Sequence, residues 1–232
     1  MVQIVKTDNA TASDGLSCVE DASTRSFCLD VEWPVLDGHV SRELPPNDPH
    51  STGYKWSPMY VMYRQEMKVD QVLKANSFKT FIPMEEKSTR RKGVDTVKMV
   101  PAIHNLIFVY STRERISWMK MHNEECTKMQ YMSFHNFSDG SSHVITVPEK
   151  QMENIITAAT IDAPEGLRSY IDTPLDIDPA NPGRMIEFVN GPFNGVTGII
   201  KRVNKNRVML IELPMYKSIQ IKISSANDIN YL

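Results

Sequence analysis

Residues 183–203 read GRMIEFVNGPFNGVTGIIKRV, and this stretch decides the fold of the C-terminal part of the chain. Pro192 fixes φ for a turn, and Asn194 with Gly195 can supply the positive φ that closes it. Gly198, inside a predicted strand, indicates a bend or a close approach between two backbones. The stretch therefore predicts two short strands joined by a tight turn.

Short strands with tight turns continue to the C-terminus. Ile219, Ile221 and Ile223 alternate with polar residues, so one face of their strand is expected to be buried. Four strands are predicted, at Arg184–Val189, Val196–Val203, Val208–Leu213 and Lys217–Ile223. Fifty residues of this kind predict a small all-β barrel over 183–232.

The preceding segment, 56–160, mixes helical and strand patterns. Leu106–Tyr110 is a continuous apolar run and predicts a strand buried on both faces. Residues 66–75 carry apolar residues at helical spacing, and so do Met152, Ile155, Ile156 and Ala159 after Pro148. The predicted order is β-α-β-β-β-α-β-β-α, an α+β domain. Between its strands, Arg90, Arg91 and Lys92 precede Gly93 at a predicted basic hairpin tip.

Charge and composition divide the chain into four parts. Residues 1–55, 56–160, 161–182 and 183–232 carry net charges of −5, +3, −4 and +4. The leader, 1–55, shows no sustained period and is predicted to be mostly disordered, with Phe27 to Val35 as the piece that could be ordered. Residues 161–182 hold four prolines among five acidic groups and predict a linker between independently folding domains.

Several functional classes are excluded. Three cysteines among 232 residues give no sensible disulfide framework, and no apolar run approaches the ~20 residues of a membrane span. The N-terminus lacks a secretory signal, so a cytoplasmic protein without membrane contact is expected. There is no Gly-rich phosphate loop, no Gly-x-Ser-x-Gly and no His-Glu-x-x-His. His122 near Cys126 is interpreted as a charged helix end, and neither catalysis nor a metal is expected.

The stretch 183–203 closely resembles the KOW motif, which occurs in NusG-type transcription factors and in some ribosomal proteins. The upstream segment decides between these two groups. Residues 59–69, MYVMYRQEMKV, resemble the opening strand and helix of the NusG N-terminal domain, and residues 78–83, FKTFIP, resemble its second strand. Residues 100–109, VPAIHNLIFV, resemble the strand that the family usually writes as Pro-Gly-Tyr-Val-Phe-Val. The resemblance spans about 56–232.

Two departures from the family pattern stand out. His104-Asn105-Leu106 replaces the usual Pro-Gly-Tyr, and Met59 replaces the usual tryptophan of the first strand. Divergence of this kind looks more like an operon-specific paralog than the housekeeping factor. The specialised antiterminators of capsular polysaccharide operons, the UpxY group, are the most similar subfamily.

The resemblance implies a NusG N-terminal-type antiparallel sheet with flanking helices, followed by a KOW/SH3-like barrel. It also implies a monomeric elongation or antitermination factor without a cofactor. The N-terminal domain would bind the clamp helices of the largest RNA polymerase subunit, suppress pausing and touch the non-template DNA. The KOW domain would recruit a ribosomal protein or Rho.

The resemblance assigns residues to each partner. Tyr60, Leu106 and Phe108 would bind polymerase, with plain core as the alternative interpretation of the apolar run. The basic tip would contact nucleic acid or serve only as a solubilising turn. The residues assigned to the KOW partner are Pro192, Phe193, Asn194, Lys201 and Arg202.

Two other functions stay open. One is a KOW-type RNA-binding or ribosome-associated protein with a fused α+β domain. Net charges of only +3 and +4 weigh against broad RNA coating, which usually needs a strongly basic domain. The other is an enzyme whose catalytic residues are scattered beyond recognition.

Overall fold

The computed structural model describes residues 27–29, 43–47, 53–91, 94–135, 141–164, 166–172, 183–203, 206–215 and 217–232. The helices are α1 (Glu66–Ala75), α2 (Arg113–His122) and α3 (Glu149–Thr160). The strands are β1 (Phe27–Leu29), β2 (Lys55–Val61), β3 (Lys79–Phe81), β4 (Met84–Arg91), β5 (Val94–Pro101), β6 (Leu106–Ser111), β7 (Met129–His135), β8 (Ser142–Val144), β9 (Arg168–Asp172), β10 (Met185–Phe188), β11 (Thr197–Val203), β12 (Asn206–Leu213), β13 (Lys217–Lys222) and β14 (Ile229–Tyr231).

The first sheet has the order β1-β7-β2-β6-β3, with β8 also paired to β7, and all its pairings are antiparallel. Strand β6 is buried on both faces, as its apolar run predicts. Ile107 and Val109 belong to an apolar cluster with α1 and α2, whereas Leu106 and Phe108 belong to a second cluster with α3. Helices therefore flank both faces, and the predicted α+β class is confirmed.

Strands β4 and β5 form a separate two-stranded ribbon. The sequence predicts the returning strand and the hairpin tip, but its pattern does not predict β4 as a strand. Residues 84–91 read MEEKSTRR, which has neither the apolar alternation nor the β-branched content that usually marks a strand. Pairing with β5 holds this polar segment extended.

The second sheet is an all-antiparallel arrangement in the order β14-β10-β11-β12-β13-β9. It contains the four predicted strands and two more, β9 and β14. Strand β9 lies inside the segment predicted as a linker, so that prediction is wrong for Arg168–Asp172. Five residues suffice to pair with the edge of β13, and the prolines and acids around them conceal this in the composition. Residues 173–182 lie outside the described residues.

Helix α3 connects the two sheets. Asn154 on α3 donates through Nδ2 to the hydroxyl of Thr197 at 2.6 Å. Arg168 at the start of β9 donates through Nη1 to the carbonyls of Ala158 and Ile161, both at 2.9 Å, at the C-terminal end of the helix. Buried apolar residues of both sheets and of α3 belong to one cluster. The two predicted domains thus share an apolar core in this structure.

Parts of the predicted leader are ordered. Strand β1 pairs with β7, in agreement with the piece that the sequence analysis singled out. Residues 43–47 are held by Arg115, a 2% exposed side chain that donates to the carbonyls of Pro45 at 3.0 Å and Asn76 at 3.2 Å. The prediction of disorder is therefore wrong for 27–29 and 43–47. The other residues before Gly53 lie outside the described residues.

Gly198 is required by a close backbone approach, as its place inside a strand predicts. A Cβ at this position would lie 2.7 Å from the carbonyl oxygen of Leu210 and 2.7 Å from Cγ of Met209. We expect Gly198→Ala to lower the free energy of unfolding by about 1–3 kcal/mol, because a well-packed interior resists added volume. Urea denaturation of the full chain measures this, and an unchanged midpoint would contradict it.

Candidate functional site

The residues predicted to bind polymerase lie together on one face of the first sheet. Tyr60 in β2 is directly opposite Leu106 in β6, and Pro58 is opposite Phe108. Directly paired residues share a face, so the three predicted side chains are adjacent. Phe81 of β3 extends the same surface, with its ring centroid 6.3 Å from that of Phe108. We call Tyr60, Phe81, Leu106 and Phe108 the apolar face.

The apolar face is covered in this structure. Leu106 and Phe108 are 0% exposed, and Tyr60 is half-buried. Their cluster includes buried residues of α3 and of the second sheet, such as Met152 and Ile219. With the second sheet in this position, the face serves as core, and a partner has no access to Leu106 or Phe108.

The second sheet also reaches the base of the β4–β5 ribbon. Tyr170 of β9 lies close enough to Glu85 of β4 for the two groups to interact electrostatically. Burial, reinforced by the Glu85 carboxylate, raises the pKa of Tyr170 to about 12. The second sheet thus approaches the first part of the chain at α3 and at this ribbon.

The conformation of Asn105 explains how asparagine can replace the glycine of the Pro-Gly-Tyr pattern. Its φ is +65°, in the left-handed region where glycine is favoured and asparagine is tolerated. Its carbonyl accepts from the Val61 N–H at 2.8 Å, and its side-chain oxygen accepts from the Arg64 N–H at 3.0 Å. Its amide nitrogen donates to the Tyr60 hydroxyl at 3.4 Å. Asparagine therefore keeps the turn that glycine would allow and also buttresses the apolar face.

Of the three cations of the predicted basic tip, the structure describes the side chain of Arg90 and the backbone of Arg91. Arg90 lies 3.7 Å from Asp95 across the ribbon, and both side chains are exposed. Arg91 pairs with Val94 in the backbone register. Neighbouring residues of a strand alternate between faces, so Arg90 and Arg91 occupy register positions on opposite faces. Lys92 lies outside the described residues.

The residues predicted to bind a KOW partner divide into surface and core. Pro192 and Asn194 are exposed in the turn between β10 and β11, whereas Phe193 is 1% exposed and packs on Phe188 with ring centroids 5.9 Å apart. Phe193 is therefore a core residue here, because the turn directs its ring inward. The remaining two residues, Lys201 and Arg202, are half-buried and exposed, respectively.

The helix end near Cys126 does not carry an activated nucleophile. Cys126 is 0% exposed, and burial together with the Glu125 charge raises the pKa of its thiol to about 11. His122 stacks on Trp118 with ring centroids 4.2 Å apart. No group of metal-ligating residues occurs within the described ranges. Among the same residues, no helix has the length and apolar character that spanning a membrane requires.

We predict that Cys126 resists alkylation in the folded chain. A rise in pKa from 9.0 to about 11 lowers the thiolate fraction at pH 8 about 100-fold, and burial blocks access as well. Iodoacetamide at pH 8 should leave Cys126 unmodified until guanidinium unfolds the chain, as peptide mass spectrometry would show. Equal labelling rates in the native and unfolded chains would contradict this.

Four residues that shape the ribbon surface or hold the second sheet in place were not predicted from the sequence. Lys87 and Lys98 face each other across the ribbon, and Asn154 and Arg168 hold α3 against the second sheet. A two-residue turn at 92–93 would have placed residue 87 opposite residue 98, so the lysine pair was accessible from the sequence. The contacts of α3 had no comparable signal, because they depend on how the two sheets pack.

Comparison with known proteins finds a family model that matches part of the chain. A family model described as "Transcription termination factor nusG" matches residues 54–156. The matched region runs from just before β2 into α3, so it contains the apolar face and the β4–β5 ribbon. No curated protein matches the chain.

Proposed function

Because residues 54–156 match the family model described as "Transcription termination factor nusG", we propose that this protein is a transcription elongation and antitermination factor that binds RNA polymerase. Members of that family are not enzymes, and the match implies polymerase binding. The observation that carries the proposal is the family match over the region that contains the apolar face. Suppression of pausing or termination is the expected effect of binding.

Docking of the polymerase clamp helices on the apolar face requires this face to be uncovered. Tyr60, Leu106 and Phe108 provide the exposed apolar surface that helix-on-groove docking needs once the second sheet moves away. Polymerase would then bind the open arrangement and shift the population toward it. Hydrogen bonds from Asn154 and Arg168 favour the closed arrangement.

The finer assignments extend this proposal. Departures at His104–Leu106 and Met59 support an operon-specific, UpxY-like paralog. The second sheet would act as a KOW domain that recruits a ribosomal protein or Rho through the exposed Pro192, Asn194 and Arg202, with the half-buried Lys201 beside them. The protein would be a cytoplasmic monomer, without a cofactor, that touches non-template DNA when on polymerase.

A pull-down with purified core polymerase tests the proposal, and a single-round pause assay tests its effect. Tyr60→Ala should weaken polymerase binding about 30-fold, since truncating a central aromatic anchor commonly costs 2 kcal/mol or more. Tyr63→Ala is the matched control, because this ring is 75% exposed and lies outside the apolar face. If the unmodified chain neither binds core polymerase nor changes pausing, the proposed function is wrong.

One observation favours RNA binding as a second candidate. Arg202 in β11 is directly opposite Arg207 in β12, and both are exposed. An anionic backbone would relieve the repulsion between these two cations. RNA binding that is lost in the Arg202→Ala, Arg207→Ala double variant, with no polymerase binding by the unmodified chain, would favour this candidate.

A further inference from the structure

The two faces of the β4–β5 ribbon differ in charge. In the register, Lys87 is directly opposite Lys98, and Thr89 is directly opposite Thr96. All four side chains are exposed. We call this the lysine face. Glu85, which belongs to the same face, lies at the half-buried base of the ribbon.

The opposite face of the ribbon is neutralised and partly apolar. Arg90 is within ion-pair distance of Asp95, and Glu86 is directly opposite Met99. Val97 and Met99 are 63% and 57% exposed. This face has no excess of positive charge, so it offers no attraction to a polyanion.

The cations of the lysine face lack a counter-charge. Neither Lys87 nor Lys98 makes an ion pair or a side-chain hydrogen bond among the residues that the structure describes. Like charges directly opposite each other on neighbouring strands destabilise the pair. A bound polyanion would attract both ammonium groups and offset the repulsion between them.

The shape and chemistry of the ribbon indicate which polyanion fits. Single-stranded nucleic acids are generally held by aromatic side chains on which bases stack. None of the residues at lysine-face register positions is aromatic: Glu85, Lys87, Thr89, Arg91, Val94, Thr96, Lys98 and Val100. The major groove of B-DNA, by contrast, is wide enough for a two-stranded β-ribbon. Threonine hydroxyls and lysines are also common donors to phosphates.

We propose that the lysine face binds the phosphate backbone of duplex DNA through Lys87 and Lys98. This inference deepens the proposed function, because a factor carried on transcribing polymerase works beside duplex DNA. It assigns the contact to a residue pair on one ribbon face rather than to the hairpin tip. The contact requires no polymerase, so it can be tested on the free protein.

The test measures binding of the full chain to a fluorescein-labelled 30-base-pair duplex by anisotropy over a range of KCl concentrations. The Lys87→Ala, Lys98→Ala double variant should make the slope of log affinity against log salt shallower by about 1.8, since each lost phosphate contact removes about 0.9. The control is the Lys68→Ala, Lys150→Ala double variant. It removes the same charge from two exposed helical lysines and should retain the slope.

A charge-reversal variant distinguishes loss of the phosphate contact from unfolding of the ribbon. Lys87→Glu places opposite charges at the pair, so the ribbon is stabilised while the attraction to phosphate is lost. This variant should bind the duplex as weakly as the double alanine variant, with an unchanged circular dichroism spectrum. Retained duplex binding in Lys87→Glu, or equal losses in the helical control, would overturn the proposal.

The remaining outcomes are also decisive. Tighter binding to a single-stranded oligonucleotide of the same length, with the same loss in the double alanine variant, would overturn the assignment to duplex DNA. Normal polymerase binding without duplex binding would refute only this inference. Duplex binding without polymerase binding would refute the proposed function and leave the lysine face supported.

Discussion

Arg168→Ala is expected to bind RNA polymerase about 10- to 30-fold more tightly than the unmodified chain. Arg168 makes two hydrogen bonds to carbonyls at the end of α3 and thereby favours the closed arrangement. Hydrogen bonds that involve a charged group contribute about 1.5–3 kcal/mol. Because only open molecules bind, the apparent affinity equals the intrinsic affinity multiplied by the open fraction. Weakening the closed state raises the open fraction and therefore the apparent affinity.

Biolayer interferometry with immobilised core polymerase measures this change. Arg184→Ala is a matched control in the second sheet, because its exposed guanidinium lies over Tyr231 at 4.6 Å and not on α3. The control should bind as the unmodified chain does. If Arg168→Ala binds no more tightly while its circular dichroism spectrum is unchanged, polymerase does not dock on the apolar face.

Phe108→Ala is expected to lower the free energy of unfolding by about 3–5 kcal/mol. Phe108 is 0% exposed and packs near the ring of Phe81, so truncation leaves a cavity in the shared core. Urea denaturation followed by circular dichroism measures the change. The exposed aromatic change Tyr231→Ala should cost less than about 0.5 kcal/mol. A loss below 1 kcal/mol for Phe108→Ala would show that its surroundings collapse to fill the space.

Leu106→Asp illustrates how burial limits tests of docking. A carboxylate at this 0% exposed position has no hydrogen-bonding solvent around it, so the variant is expected to unfold. Loss of polymerase binding in Leu106→Asp would therefore not identify a docking surface. Tyr60, which is half-buried, is the better position because its truncation leaves β2 and β6 paired.

Periodicity predicts much of the fold. The apolar run of β6 and the alternating isoleucines of β13 report local burial, and each corresponds to an observed strand. The stripe on α3 likewise matches its buried side. These signals are local, since each depends on which side chains a single element buries.

Features that depend on packing between elements leave no mark in the periodicity of a single helix or strand. Strand β9 is recognisable only through its partner β13, and the burial of Phe193 depends on how its turn folds inward. The candidate site shows the same division. The sequence places Tyr60, Leu106 and Phe108 on neighbouring strands, yet the cover supplied by the second sheet has no periodic signature.

The pairing of β9 with β13 also has a consequence for synthesis. Asp172 pairs with Lys217, a residue that emerges from the ribosome 45 positions later. At about 5–20 residues per second, translation leaves β9 without its partner for a few seconds. During that interval α3 and the strands before it are already complete, while the sheet that covers them does not yet exist. The apolar face of a nascent chain is therefore uncovered before the finished protein closes.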